Sequence, residues 1–103
     1  MDFGETLNSM AWSFPDKERF NLSSQMSRAA DSVALNISEG AIGQSNPEFR
    51  KFMGYAIRSL AEVVTCLHKA HRRGYISETE FNKQYEEAFN LMNMMVAFRR
   101  NIK

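Results

Sequence analysis

Apolar residues recur at every third or fourth position through almost the whole chain, in segments whose ends carry prolines, glycines and capping residues. This pattern constrains the fold more than any other feature. No stretch sustains polar–apolar alternation and no Asn-Gly hairpin turn occurs, so strands have no foothold. Helices that account for nearly all of 103 residues make one domain, residues 1–103, and leave little chain for a loop-built catalytic site.

The segments read as follows. Phe3, Leu7 and Met10 share a face and predict a short first helix over residues 2 to about 12, ended by Phe14-Pro15 because the residue before proline is driven out of helical geometry. Asp16 to Phe20 reads as a turn. A second helix is expected from Leu22 to Glu39, capped by Asn21 or Ser23, with Gly40 as a left-handed stop. Its core face is Leu22, Met26, Ala29, Ala30, Val33 and Ile37. A third helix of about 26 residues starts near Pro47, capped by Ser45 or Asn46, and ends at Gly74. Phe49, Met53, Ala56, Leu60, Val63, Val64 and Leu67 form its stripe.

The fourth helix opens with the capping box Ser77-x-x-Glu80. Phe81, Tyr85, Ala88, Phe89, Met92, Met95 and Val96 lie on one side, while Leu91, Met94 and Phe98 point elsewhere. One core-facing stripe does not need that width. Either the helix is central or its second apolar face, Leu91, Met94 and Phe98, meets another subunit. Short connections favour antiparallel neighbours, so the expected fold is all-α, an antiparallel up-down-up-down four-helix bundle with a short first helix.

The net charge of +1 gives no overall pull toward nucleic acid or membrane, but the topology hides a basic end. The start of the third helix and the end of the fourth lie together, which gathers Arg50, Lys51, Arg99, Arg100 and Lys103 as a candidate nucleic-acid-binding patch. Lys69, Arg72 and Arg73, at the opposite end, are accounted for by the helix dipole. A polar stripe of Gln25, Arg28, Ser32, Asn36 and Glu39 runs beside the second helix's core face, and Ser59 and Glu62 occupy a similar edge of the third. Polar groups beside a core need partners. The expectation is a structural polar network in which Arg28 pairs with Glu62 or Glu39.

Other constellations carry little chemistry. Cys66, His68 and His71 do not converge on a helix, so no metal is expected, and no cofactor loop or catalytic triad occurs. Gly40-Ala41-Ile42-Gly43 lacks the strands of a KH loop and the Gly-Lys-Ser/Thr ending of a phosphate loop. Trp12 and the seven methionines are assigned to core or subunit interface. The single Cys66 cannot form an internal disulfide, and neither a secretion signal nor a membrane span is visible, so a cytoplasmic protein is expected.

Several motifs together resemble a known family. They are Phe14-Pro15-x-x-Glu18, then Leu22-x-x-Gln25-x-x-Arg28-Ala29-Ala30-x-Ser32-Val33, then Asn36-Ile37-Ser38-Glu39-Gly40. Glu48-Phe49-x-x-Phe52, Ala56-Ile57-x-Ser59-Leu60-Ala61-Glu62 and Gly74-Tyr75-Ile76 continue the series. This combination resembles the four-helix-bundle family encoded in intervening sequences of bacterial 23S rRNA genes, also labelled S23 ribosomal protein. The accessory variability protein of diversity-generating retroelements is a similar protein. The resemblance implies a non-enzymatic bundle that assembles into a pentamer and, in the retroelement branch, binds nucleic acid and a reverse transcriptase. The first helix here is shorter than in the family. The expected partners are copies of the chain itself, RNA or DNA, or a protein, in which last case the bundle is a scaffold without nucleic-acid binding; no membrane role is expected.

Overall fold

The computed structural model describes residues 2–42 and 45–102. Among the described residues the chain forms α1 (Asp2–Trp12), a 3-10 turn (Asp16–Glu18), α2 (Leu22–Ala41), α3 (Asn46–Arg72) and α4 (Glu78–Arg100), with no strand. Asn8 meets Ser27 across α1 and α2, Ser32 meets Ser59 across α2 and α3, and Phe49 meets Phe98 across α3 and α4. His68 meets Phe81 at the other end of that last pair. Each helix therefore runs antiparallel to the next, as the short connections demanded.

The most extensive interface joins α2 to α3. Small residues let the two approach: Ala29 and Ala30 on α2, Ala56 and Ala70 on α3, around buried Leu22, Met26, Val33, Leu60, Val63 and Leu67. Gly40 takes part in this close approach. It lies inside α2, which continues to Ala41, and a Cβ there would come within 2.8 Å of the Phe49 ring. The left-handed stop expected at Gly40 is therefore not formed. The sequence signal was a glycine near a helix end, but the constraint on it is interhelical space.

Gly74 does adopt a left-handed conformation, with φ 77°. The Tyr75 amide donates to the Ala70 carbonyl at 2.9 Å and the Gly74 amide to His71 at 3.0 Å, closing α3 in a Schellman arrangement. That turn carries Tyr75 to Glu18. The buried Glu18 carboxylate accepts from the Tyr75 hydroxyl at 2.6 Å and from Arg73 at 2.9 Å. Its second oxygen accepts from the Asn21 amide at 3.2 Å and the Leu22 backbone amide at 3.4 Å. Glu18 thus caps α2, in the role expected of Asn21 or Ser23, neither of which makes a capping bond as N-cap residue there. Arg73, assigned from sequence to the helix dipole, is an ion-pair partner.

At the other two helix starts the caps are as read from sequence. Ser45 accepts from the Glu48 amide at 3.2 Å and Ser77 from the Glu80 amide at 3.1 Å.

α1 is too short for its neighbours. Eleven residues span about 16 Å at 1.5 Å each, whereas the 23 residues of α4 span about 35 Å. Glu80 lines an open cleft against Glu5 and Ser9 of α1 and Ser13 just past its end, which marks the side of α4 that faces α1. Phe98 lies 18 residues, or five full turns, along that same side, beyond the reach of α1. On α2 the side that carries Ser27 toward α1 continues to Ala34, Ser38 and Ala41, all exposed. Met94 and Phe98 are exposed on α4 as well, and the Phe98 ring lies 5.6 Å from Phe49.

Gln84 is the one polar residue that α4 buries, and its Oε1 has no hydrogen-bond partner among the described residues. Such an oxygen costs roughly 1–3 kcal/mol. Gln84→Met keeps the volume and removes the orphan, so its thermal midpoint rises, by about 4–8 °C for each kcal/mol recovered. A lower midpoint by calorimetry would show that the amide is satisfied.

Glu18 carries a second expectation. The Tyr75 hydroxyl, followed by the Leu22 amide and Arg73, holds its carboxyl below the ordinary value of 4.5 despite opposing burial. A carboxylate with a depressed folded-state value stabilises the fold above 4.5, and loses that contribution as pH falls from there through the lower folded value. Glu18→Gln should therefore melt below the parent at neutral pH, with the gap closing in acid. A gap that is constant from neutral pH to acid would remove the charge from the account.

Candidate functional site

Three surfaces bring polar or apolar groups together in ways the core does not require. The first is the end of the bundle where α3 starts and α4 finishes. Arg50, from the first turn and a half of α3, donates to the Ile102 carbonyl just past the end of α4. Ile102 lies beyond the cap residue Asn101, so this contact ties the segment that leaves α4 back to α3. Arg99 returns the contact, its Nε donating to the Arg50 carbonyl at 3.0 Å. Gly54 permits this, because a Cβ there would sit 3.3 Å from Arg99 Nε.

The expected basic end is thus assembled, and its members differ in freedom. Arg50 and Arg99 are fixed by backbone carbonyls. Lys51 lies 3.9 Å from Glu48 and 5.4 Å from the centre of the Phe52 ring. A surface pair at that distance contributes little. Arg100 is exposed and makes no ion pair among the described residues. Lys103 lies outside the described residues.

The second surface is the polar stripe between α2 and α3. Gln25, Arg28, Ser32, Ser59 and Glu62 line a groove of about 370 Å³ with Thr65 and Cys66 beside them. The hydroxyls of Ser32 and Ser59 meet at 2.8 Å, and Asn36 donates to the Ser32 hydroxyl at 3.0 Å. Of the stripe residues, Ser32, Asn36 and Ser59 bond one another, and Gln25, Arg28, Glu39 and Glu62 do not join them among the described residues. The Arg28 pairing is not formed: Arg28 is exposed and turns back to the Ser24 carbonyl at 3.4 Å. Glu39 and Glu62 are also exposed, and Gln25 bonds Asn21 on its own helix at 3.3 Å. Small alanines close the seam without a charged pair, so the long side chains reach water. Burial pushes the Cys66 thiol above its ordinary range, so this cysteine is an inert wall of the groove.

The third surface was not legible in the sequence. His71, Phe81, Tyr85 and Phe89 stack in a row, with centroids 4.7, 5.5 and 6.3 Å apart and planes within 25° of parallel. His68 packs edge-on against Tyr85, at 72°, and tilted against Phe81, at 57°. Phe81, Tyr85 and Phe89 are four residues apart, which is the signal that marks such a row, but sequence alone assigns the stripe to the core. Here Tyr85 and Phe89 are 36% and 54% exposed. Farther along α3 and α4, Gly54, Ile57, Val96, Arg99 and Arg100 line a hollow of about 400 Å³.

The apolar residues expected at an oligomer interface divide. Leu91 is half-buried and packs on the core, because it lies level with the start of α1. Met94 and Phe98, beyond α1, are 68% and 53% exposed.

The family model described as 23S rRNA-intervening sequence protein matches residues 1–97 of the chain. The chain belongs to this family. A similar solved structure is a protein of unknown function from the S23 ribosomal protein family of Bacteroides thetaiotaomicron. Its TM-score is 0.78 at 16% identity, over 96% of this chain and 99% of that one, so the fold is shared. Among curated proteins no sequence matches the chain significantly.

In this 23S rRNA-intervening sequence protein the motifs that carry the family resemblance have physical tasks. Phe14-Pro15-x-x-Glu18 and Gly74-Tyr75-Ile76 meet: the Phe14 ring lies 5.4 Å from Tyr75 and Glu18 accepts its hydroxyl. Ser32, Asn36 and Ser59 form the α2–α3 seam. Glu48-Phe49 places the ring that fills the space over Gly40. All three tasks are structural, which leaves function to the surfaces outside them.

Proposed function

We propose that the protein is a non-enzymatic, homo-oligomeric bundle that binds nucleic acid through the basic end formed by Arg50, Lys51, Arg99 and Arg100. One observation supports this reading above the others. The reciprocal contacts of Arg50 with Ile102 and of Arg99 with Arg50 fix two guanidiniums beside the exposed Arg100. Cations held in place lose less freedom on meeting a phosphate, and a charge cluster that repeats around an oligomer multiplies the phosphate contacts. Contacts of this kind go to the phosphate backbone and read little sequence. The resemblance to pentameric relatives sets the expected number of copies at five.

Oligomerisation has its own support in the apolar surface that the short α1 leaves uncovered. Met94 and Phe98 are exposed there, and a second copy is the occupant that the family resemblance favours. A scaffold that binds only protein is the second reading. It is favoured by Phe20, 91% exposed between the 3-10 turn and α2.

Binding to RNA or DNA should weaken as salt rises, with a slope of roughly 0.7–0.9 per phosphate contacted. Arg100→Glu should flatten that slope, because Arg100 is committed to no contact within the fold. An affinity indifferent to salt, or a partner that survives nuclease treatment in pull-downs, would favour the protein scaffold. For assembly, light scattering should give several copies for the parent and fewer for Met94→Glu with Phe98→Glu. A parent that is monomeric at micromolar concentration removes the oligomer from the proposal.

A further inference from the structure

Helix α4 exposes apolar side chains on two opposite flanks, and only one of them, with Met94 and Phe98, lies on the α1 side. The other flank carries Tyr85, Phe89 and Val96, of which Tyr85 packs on His68 of α3 and Val96 lines a hollow between α3 and α4. At its lower end Gly54, Ile57 and Val96 form an apolar hollow, and Arg99 and Arg100 close it. At about 400 Å³ it falls within the roughly 300–1,000 Å³ of small-molecule sites. No carboxylate lines it among the described residues.

We infer that this groove receives unpaired nucleotides, with bases on the Phe89–Val96 track and phosphates on Arg99 and Arg100, so the protein prefers single strands to duplexes. The inference rests on the nucleic-acid reading above and adds to it which form of nucleic acid is bound. Three features point the same way. The row of near-parallel rings from His71 through Phe81 and Tyr85 ends at Phe89, which is more than half exposed. No further ring follows Phe89 toward Val96 among the described residues, so a base placed there extends the stack. From Phe89 to Val96 is seven residues, or about 10 Å along the helix. That is the distance a bound strand would span between the last ring and the hollow. Arg99 is held through Nε to the Arg50 carbonyl, which leaves its terminal nitrogens for a phosphate at the same place.

A base has two apolar faces and travels with one anionic phosphate. An apolar groove that ends in guanidiniums, without acids, matches both parts. A duplex hides its base faces in its own stack and offers only phosphates, so it engages the arginines and leaves the groove empty. Stacking on exposed side chains accepts any base, so little sequence preference is expected.

The experiment compares an unstructured homopolymer RNA with a blunt RNA duplex of equal phosphate count, by fluorescence anisotropy. Three proteins are used: the parent, Phe89→Ala and Val96→Gln. Both substituted side chains are partly exposed and both changes preserve net charge. A second strand carries 2-aminopurine, whose emission reports stacking directly. The parent should bind the single strand more tightly. Phe89→Ala should lose about five- to tenfold in single-strand affinity, as aromatic truncations in such tracks do, and Val96→Gln should lose less, with duplex affinity unchanged in both. The quenching of 2-aminopurine by stacking should weaken with it. Circular dichroism checks that both variants remain helical.

Failure separates cleanly. A parent that binds neither strand form defeats the nucleic-acid reading, and this inference with it. A parent that binds both forms equally, with both variants unchanged, defeats the groove and leaves the basic end standing. Variants that change the oligomer mass instead make the groove a subunit contact, which also overturns the inference.

Discussion

The α2–α3 pair is where both helices bury a full face, and the positions of α1 and α4 follow from it. Alanines and Gly40 bring the two backbones close, and the Ser32–Ser59 contact fixes their register at mid-length. Dispersion and apolar burial are strongest where backbones approach, so this seam sets the axis of the molecule. Its length, near that of the 27-residue α3, accounts for the long dimension of 43 Å.

Two devices attach the remaining helices to that axis. At one end Glu18 collects the start of α2, the turn after α3 and the chain leaving α1 into a single carboxylate. At the other end two arginines exchange contacts with backbone carbonyls and hold the last turn of α4 against α3. Only the first follows helix electrostatics, in which a helix start presents free N–H groups and attracts an anion. At the second, Ile102 lies past the cap of α4 and the Arg50 carbonyl belongs to the first turns of α3, so the two arginines act as ties between the elements. Both arginines stay exposed, which puts the candidate interface at that end.

Much of the fold was legible in the sequence, and the misses share one cause. Periodicity located four helices, Ser45 and Ser77 located two starts, and Gly74 located one stop, because each of these depends on a few adjacent residues. Gly40, Glu18 and Arg73 were read as local features but act between elements distant in sequence. Arg28 was assigned a partner from its position beside the core, but helix pairs closed by alanines leave a long side chain free to reach water. The candidate site divided in the same way. The convergence of Arg50 with Arg99 and Arg100 followed from antiparallel topology alone, whereas the exposed aromatic row required knowing which side of α4 the core leaves bare.

The sequence by itself determined where each helix lies, that neighbours run antiparallel and which family the motifs evoke, since hydrophobic period and capping are written in short stretches of chain. Tertiary structure decided which apolar residues stay outside. The stripe on α4 is wider than any single neighbour covers, and only the lengths and azimuths of α1 and α3 select the part that is buried. On the α1 side the exposed part follows from length, because a helix of 11 residues cannot screen one of 23. On the opposite flank it follows from azimuth, because Phe89 and Val96 turn away from the side that α4 buries.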